Sequence, residues 1–356
     1  MKMTKLAATV IAGVLLAAEA KAQVNIYLTG AVAFRSQTYS IITNLYGANL
    51  ASQNPVNGGA SASVITWSGQ IPNLFGGQTV TVYANYNGAV AGIQNLTLNT
   101  PASFLVATPG NTNRSSNVAD LAFSSVFQKS TAYTTPVLND SIFGVTPLFW
   151  LKSTNWPAGF TNITSQQIKE LASTGYLPAA YFTGNASDTG YVYFVTRDVT
   201  AGQRVIVFKD SGFSGSPAAY AYNGTTWAYD ATGQTSTGNI VNQLNKYGPS
   251  ISYLTGVDAI NATNATILSY NGVFPFQNST TLSSVANDFT PVITGKYSLW
   301  GYEHILSRTT ASGNVAVFLN ALTTNLVTSL NSYAYSIPKA NVQVQRDSDG
   351  GLVYPN

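Results

Sequence analysis

Residues 24–46 read VNIYLTGAVAFRSQTYSIITNLY, and the reading of this stretch decides the fold. Val24 to Leu28 is a short apolar run rich in β-branched and aromatic residues, the pattern of a buried strand. Thr29-Gly30-Ala31 is a small-residue turn. Beyond it Phe34, Thr38, Ile41, Ile42 and Leu45 recur at helical spacing, so the period switches from 2 to 3.6. Strand, tight turn and helix start aim the unpaired N–H groups of a first helical turn at the mouth of a sheet. Together with the positive end of the helix dipole, those donors offer an anion site with no charged side chain. The plainer alternative is that Gly30 and Ala31 only let the helix pack closely on its strand.

Working outward, the stretch is preceded by 22 residues that read as a leader. Lys2 and Lys5 form a positive n-region, Leu6 to Ala18 is mostly apolar, and Ala20-Lys21-Ala22 is an A-x-A cleavage site before Gln23. This is the pattern of a secretory signal peptide. No Cys stands at the cleavage point to carry a lipid, and no later run reaches the roughly 18 apolar residues of a spanning helix. The expectation is an exported chain, periplasmic or extracellular, neither membrane-spanning nor a lipoprotein.

Removing Lys2, Lys5, Lys21 and Glu19 takes the formal charge from +3 to +1, and only 8% of residues are charged, against roughly 25% in ordinary globular chains. Nucleic acid is excluded as a partner, because phosphate neutralisation needs clustered Lys and Arg. The same low charge favours self-association. Without Cys there is neither a disulfide framework nor a thiolate metal site. No cofactor motif is present: no P-loop, no complete dinucleotide-binding glycine pattern, no H-E-x-x-H and no G-x-S-x-G. His304, the only His, reads as packed between apolar neighbours rather than catalytic. Asp347-Ser348-Asp349-Gly350-Gly351 has half a calcium-loop pattern without the closing Glu, and reads as a solvated turn.

Downstream, strands are expected at Ser63 to Trp67, Gln78 to Tyr86, Val118 to Phe123 and Phe143 to Leu151. Pro147 places the last at an edge or a crossover. Gly88 to Gly92 reads as a turn. Thr164 and Gln167 form a capping box opening a helix. Further strands are expected at Tyr191 to Thr196, Ile251 to Leu254 and Lys296 to Leu306, with a surface hairpin within Asn223 to Gly238. Ile240 to Tyr247 and Val315 to Leu330 read as helices, and Ala259 to Thr266 as loosely helical. The alternation argues α/β with largely parallel sheets.

In that order the motifs resemble the two-lobed, type II periplasmic solute-binding proteins of ABC transporters, in the phosphate-binding branch. Thr29 to Phe34 is similar to that family's G-A-G-A-T-F turn, Asn85 to Gly92 to its N-Y-Q-G-I-G-S-S-G-G, and Asp120 to Ser125 to its D-F-G-A-S-D. Ile163 to Leu171 echoes its L-T-x-x-Q-L-x-x-I-F. Arg197 to Gln203 follows R-S-D-G-S-G-T, keeping Arg197 and Gly202, and Ile251 to Leu254 resembles I-G-Y-L. The resemblance implies lobe 1 at 23–147 and 298–356, lobe 2 at 148–297, and a mixed, mostly parallel sheet in each. It further implies an interlobe cleft for a tetrahedral oxyanion, phosphate first, delivered to an ABC transporter membrane component. The implied ligand contacts are Ala33, Phe34, Ala91, Ser124, Ser125, Arg197, Gly202 and Gln203. Two depart from the pattern: Ala91 offers no hydroxyl, and Ser125 stands where an Asp would accept the ligand's proton. Asp198 is placed to compete for Arg197, and Arg204 reads as a solvated charge. The competing expectation is an exported structural or adhesive protein that keeps the fold with a degraded anion site.

Overall fold

The structure is a computed structural model that describes residues 23–153, 156 and 159–356. The leader reading falls on residues 1–22, outside the described residues.

β1 (Val24–Gly30) buries Val24, Ile26 and Leu28 on alternate positions. After one 3-10 turn at Val32–Phe34 the chain enters α1 (Arg35–Tyr46), which turns Thr38, Ile41, Ile42 and Tyr46 inward. The opening stretch therefore folds as strand, turn and helix. β2 (Leu50–Asn54), β3 (Val64–Gly69) and β4 (Val80–Asn85) follow as an antiparallel run. Gly88 to Gly92 is not a turn: α2 (Ala89–Thr97) begins one residue after Gly88, and its buried Ile93 and Leu96 carry the helix over the sheet. β5 (Leu121–Ser124) is short and wholly buried.

β6 (Asn139–Ser153) is 15 residues long. Up to Pro147 it pairs on one side with β10 (Trp300–Ser307, the last strand of the main path). From Leu148 it pairs on the other side with β9 (Ser250–Thr255). Pro147 sits at the handover, where its missing N–H is least disruptive. Between β6 and β9 lie α3 (Ser165–Thr174), β7 (Tyr176–Pro178), β8 (Tyr191–Phe194), α4 (Gly202–Ser211) and α5 (Thr237–Lys246). α3 has the expected cap: Thr164 Oγ1 accepts from Gln167 N at 3.2 Å and Gln167 Oε1 accepts from Thr164 N at 3.0 Å.

The sheet order is β7-β8-β9-β6-β10-β5-β1-β4-β3-β2, with Ala265–Ile267 and Ile337–Pro338 adding short pairings to β6. β6 and β10 are the shared spine, with one group of strands on either side: a two-lobed α/β architecture. The sheet is mixed, but less parallel than expected. Parallel pairing is confined to β4-β1-β5 and β8-β9, where helices make the crossovers; hairpins and the spine pair antiparallel. The loosely helical reading of 259–266 is also corrected: a single turn ends at Ala259 and a strand begins at Ala265.

α6 (Gly313–Ser329) buries Phe318, Leu322 and Leu326 at four-residue spacing and lies on α1, β1 and β6. Burying each such side chain contributes about 1.5–3 kcal/mol. The last segment then folds back across the molecule. Arg346 lies over the Trp300 ring at 3.6 Å and its Nη1 meets Asp210 Oδ1 at 3.4 Å. Asp349, 5% exposed, accepts from Phe127 N at 3.0 Å. The expectation of a solvated turn is therefore wrong at Asp349: the turn is a strap, with Gly350 pressed on the Lys209 carbonyl at the end of α4.

Candidate functional site

Two neighbouring cavities lie where the strand groups meet, and both touch Val32 and Arg197.

The smaller is built from the opening turn. Gly30 has φ +116, and a Cβ there would stand 2.0 Å from Phe123 O. Only glycine lets β1 approach β5 so closely. Asn87 Oδ1 accepts from Thr29 Oγ1 at 2.7 Å and from Gly30 N at 3.2 Å, tying this turn to the start of α2. From the other lobe, the first residues of α4 press against it: a Cβ on Gly202 would meet Ser125 Oγ at 2.2 Å and Ala89 Cβ at 2.8 Å. The resulting cavity, lined by Ala33, Ser125, Arg197, Gly202 and Gln203 among others, has a volume of only about 20 Å3, room for roughly one water. The donor that α2 would offer an anion, Val90 N, instead donates to Thr200 O across the cleft at 3.0 Å.

Five of the eight residues expected at a ligand thus come together here. Three do not. Phe34 is 1% exposed and packs edge-on to Phe123 and Phe143. Ser124 is sealed between strands, its Oγ donating to Val126 O at 2.8 Å. Ala91 sits inside the first turn of α2, and Gly88 and Ala89 line the cavity in its place.

Arg197, 3% exposed, is held from three directions. Tyr253 Oη accepts from Arg197 N at 3.3 Å. Nε donates to Gln234 O at 3.0 Å and Nη2 to Thr235 O at 3.4 Å. Gly233 permits this approach, since a Cβ there would stand 2.5 Å from Arg197 O. Asp198 reaches Nη2 only at 3.5 Å, and its Oδ1 is engaged by Thr200 N at 2.8 Å. Nη1 donates to no group of the described chain, so the guanidinium is anchored with one end left over. Arg204 is not a free charge: its Nη1 donates to Arg197 O at 2.9 Å.

The larger cavity, about 450 Å3, opens on the other side of Arg197 and is bounded by Arg35, Tyr86, Asp258 and the first turn of α5. Ser236 caps that helix by accepting from Asn239 N at 3.1 Å. Asp258 accepts from Thr237 Oγ1 at 2.9 Å. Burial pushes its carboxyl up, and the Thr237 hydrogen bond, Arg35 and Arg197 offset only part of that rise. Sequence reading missed this cavity, although one signal was available: Arg35 is the only charged residue between Gln23 and Asn113. A single charge in ninety neutral residues asks for a reason.

His304 lies outside both cavities, fully buried, with Nδ1 2.9 Å from Asp140 Oδ1. No cluster of metal-ligating side chains occurs among the described residues, and no helix there is long and apolar enough to cross a membrane.

No family model matches the chain, and no curated protein does. Solved structures do. One, assigned as a phosphate ABC transporter substrate-binding protein with bound phosphate from Clostridium perfringens, superposes with a TM-score of 0.56 at 13% identity, covering 88% of this chain and 99% of that one. An ABC-type phosphate transport receptor from Vibrio cholerae gives 0.49 at 14% identity, with 87% and 99% covered. The first of these likenesses shows the fold: the two-lobed periplasmic-binding-protein-like architecture.

Proposed function

We propose that the chain is an exported solute-binding protein, not an enzyme, that encloses an oxyanion-bearing solute between two lobes and passes it to an ABC-type membrane transporter. The lobes are 23–147 with 298–356, and 148–297. The observation that carries this reading is Arg197: a buried guanidinium fixed by two backbone carbonyls, with Nη1 left over at the cleft. A desolvated, pre-oriented guanidinium is a strong partner for an oxyanion. Ser125 and the first residues of α4 face the same point and can donate to a fully ionised anion. Inorganic phosphate is the simplest such solute and the first probe. Its entry beside Ser125 requires the Val90 N–Thr200 O contact to part, because that compartment is water-sized. Hinge opening is the expected motion for this fold.

A second reading has its own support. The cleft closes on itself through Val90 N and Thr200 O, and lobe 2 carries exposed Tyr176, Tyr191 and Tyr229 within a cluster of touching rings. Both features suit an exported structural or adhesive protein. Calorimetry of residues 23–356 against phosphate, sulfate and molybdate separates the two. Binding that Arg197→Ala abolishes and Arg204→Ala leaves nearly intact supports the solute-binding reading. No heat with any anion, and no change in unfolding temperature on adding them, favours the structural one.

A further inference from the structure

The larger cavity has the size and polarity of a site for an organic molecule. Its 450 Å3 corresponds to about fifteen waters at about 30 Å3 each, and lies within the range of small-molecule sites. Two arginines line it with hydrogen-bonding capacity left over. Arg197, which lines both cavities, has Nη1 donating to no group of the described chain. The Arg35 side chain joins none of the ion pairs and none of the hydrogen bonds among the described residues.

The charges at the cavity are Arg35, Arg197 and Asp258, a net charge of one positive unit, which complements one negative charge on a ligand. A phosphate monoester dianion would leave the balance negative. The rest of the lining is neutral and mostly polar, Ser61, Ser63, Asn87 and Asn261 among it, with Val32 and Val241 as apolar patches. Several neutral hydrogen-bonding groups suit a compact body that carries hydroxyls.

Resting on the cleft-binding reading above, we infer that the solute is a hydroxylated organic monoacid of the sugar-acid type. Its carboxylate lies between Arg35 and Arg197 Nη1, and its hydroxyls meet Asp258, Ser63 and Asn261. Arg35 thereby sets specificity, while Arg197 serves any oxyanion.

Calorimetry of residues 23–356 with gluconate, glucuronate, acetate, glucose and inorganic phosphate tests this. Gluconate or glucuronate should bind at least about tenfold tighter than the other three, a difference of about 1.4 kcal/mol. Arg35→Gln should weaken that binding by about tenfold or more without lowering the unfolding temperature, and Arg35→Lys should restore part of it. Phosphate bound as tightly as the sugar acids, with Arg197 needed and Arg35 dispensable, overturns the inference and leaves the cleft reading standing. Absence of binding by all five probes overturns both.

Discussion

The two cavities on either side of Arg197 differ in who uses the polar groups. In the small one the protein answers its own donors: Val90 N finds Thr200 O, Ala31 N finds Phe123 O at 2.8 Å, and Gly88 N finds Gly30 O at 2.9 Å. Around the large one the Arg35 guanidinium makes no hydrogen bond or ion pair among the described residues, and Arg197 keeps Nη1 unengaged. Sequence motifs point to the first, because glycine-rich turns before helices are easy to see. The difference teaches that such turns supply donors without reserving them for a ligand; a carbonyl from the opposite lobe takes them equally well.

Arg197, the shared wall, is where this comparison is broken most forcefully. Arg197→Ala should weaken any oxyanion by about 2–5 kcal/mol, the usual loss on truncating a buried charged partner, or roughly 30-fold to several thousand-fold. Titration of the folded variant, its circular dichroism unchanged, is the check; undiminished affinity would remove Arg197 from the site.

A buried carboxyl on the spine gives the next test. Glu303 is fully buried, its Oε2 lacks a partner, and burial raises its carboxyl from 4.5 to about 8. The native state therefore holds a proton that the unfolded chain releases near pH 4.5. Stability contributed by this group is present below that pH and is lost progressively as pH rises through about 8, by a few kcal/mol at about 1.4 kcal/mol per unit. Denaturant melts between pH 5 and 8 should show the decline, and Glu303→Gln should flatten it while leaving cleft affinity unchanged. If affinity tracks the same pH window, the spine and the cleft are not independent.

Gly202→Ala forces a Cβ into Ser125 and Ala89. It should cost about 1–3 kcal/mol of stability, the range for overpacking, read as a lower unfolding midpoint. Solute affinity should fall too, since the lobes then meet less closely. The smallest effect is reserved for Ser125→Ala: below about 1 kcal/mol, and below about fivefold in the affinity for a sugar acid. A larger loss would move the bound oxyanion back to the small cavity.

Much of the fold was legible because it rests on local rules. The change of period after Gly30 marks β1 and α1, Thr164 and Gln167 mark the start of α3, and Pro147 marks where β6 changes partners. Gly88 misled because a glycine directly before a helix looks like one inside a turn. The site was legible only in part. Arg197 and Gly202 were found through their resemblance to the R-S-D-G-S-G-T motif, but Phe34 and Ser124 are pulled inward by neighbours on other strands, which a motif match cannot reveal. Arg35 and Asp258 are 223 positions apart, and only the meeting of α1 with the turn after β9 brings them to one cavity.

The strap formed by Arg346, Asp349 and Gly350 adds a kinetic dimension. α4 is ten residues long, about 15 Å from end to end. Its first residue touches Ser125 in the cleft, and its last turn is gripped by the strap, which is itself tied to Phe127. If the lobes part as proposed, the helix acts as a lever with its far end clamped, and wide opening requires the clamp to give. On that reading, residence time would depend on a contact a helix length away from the solute. A change such as Asp349→Asn, which touches nothing in either cavity, would speed release and capture together and leave the equilibrium affinity nearly where it was.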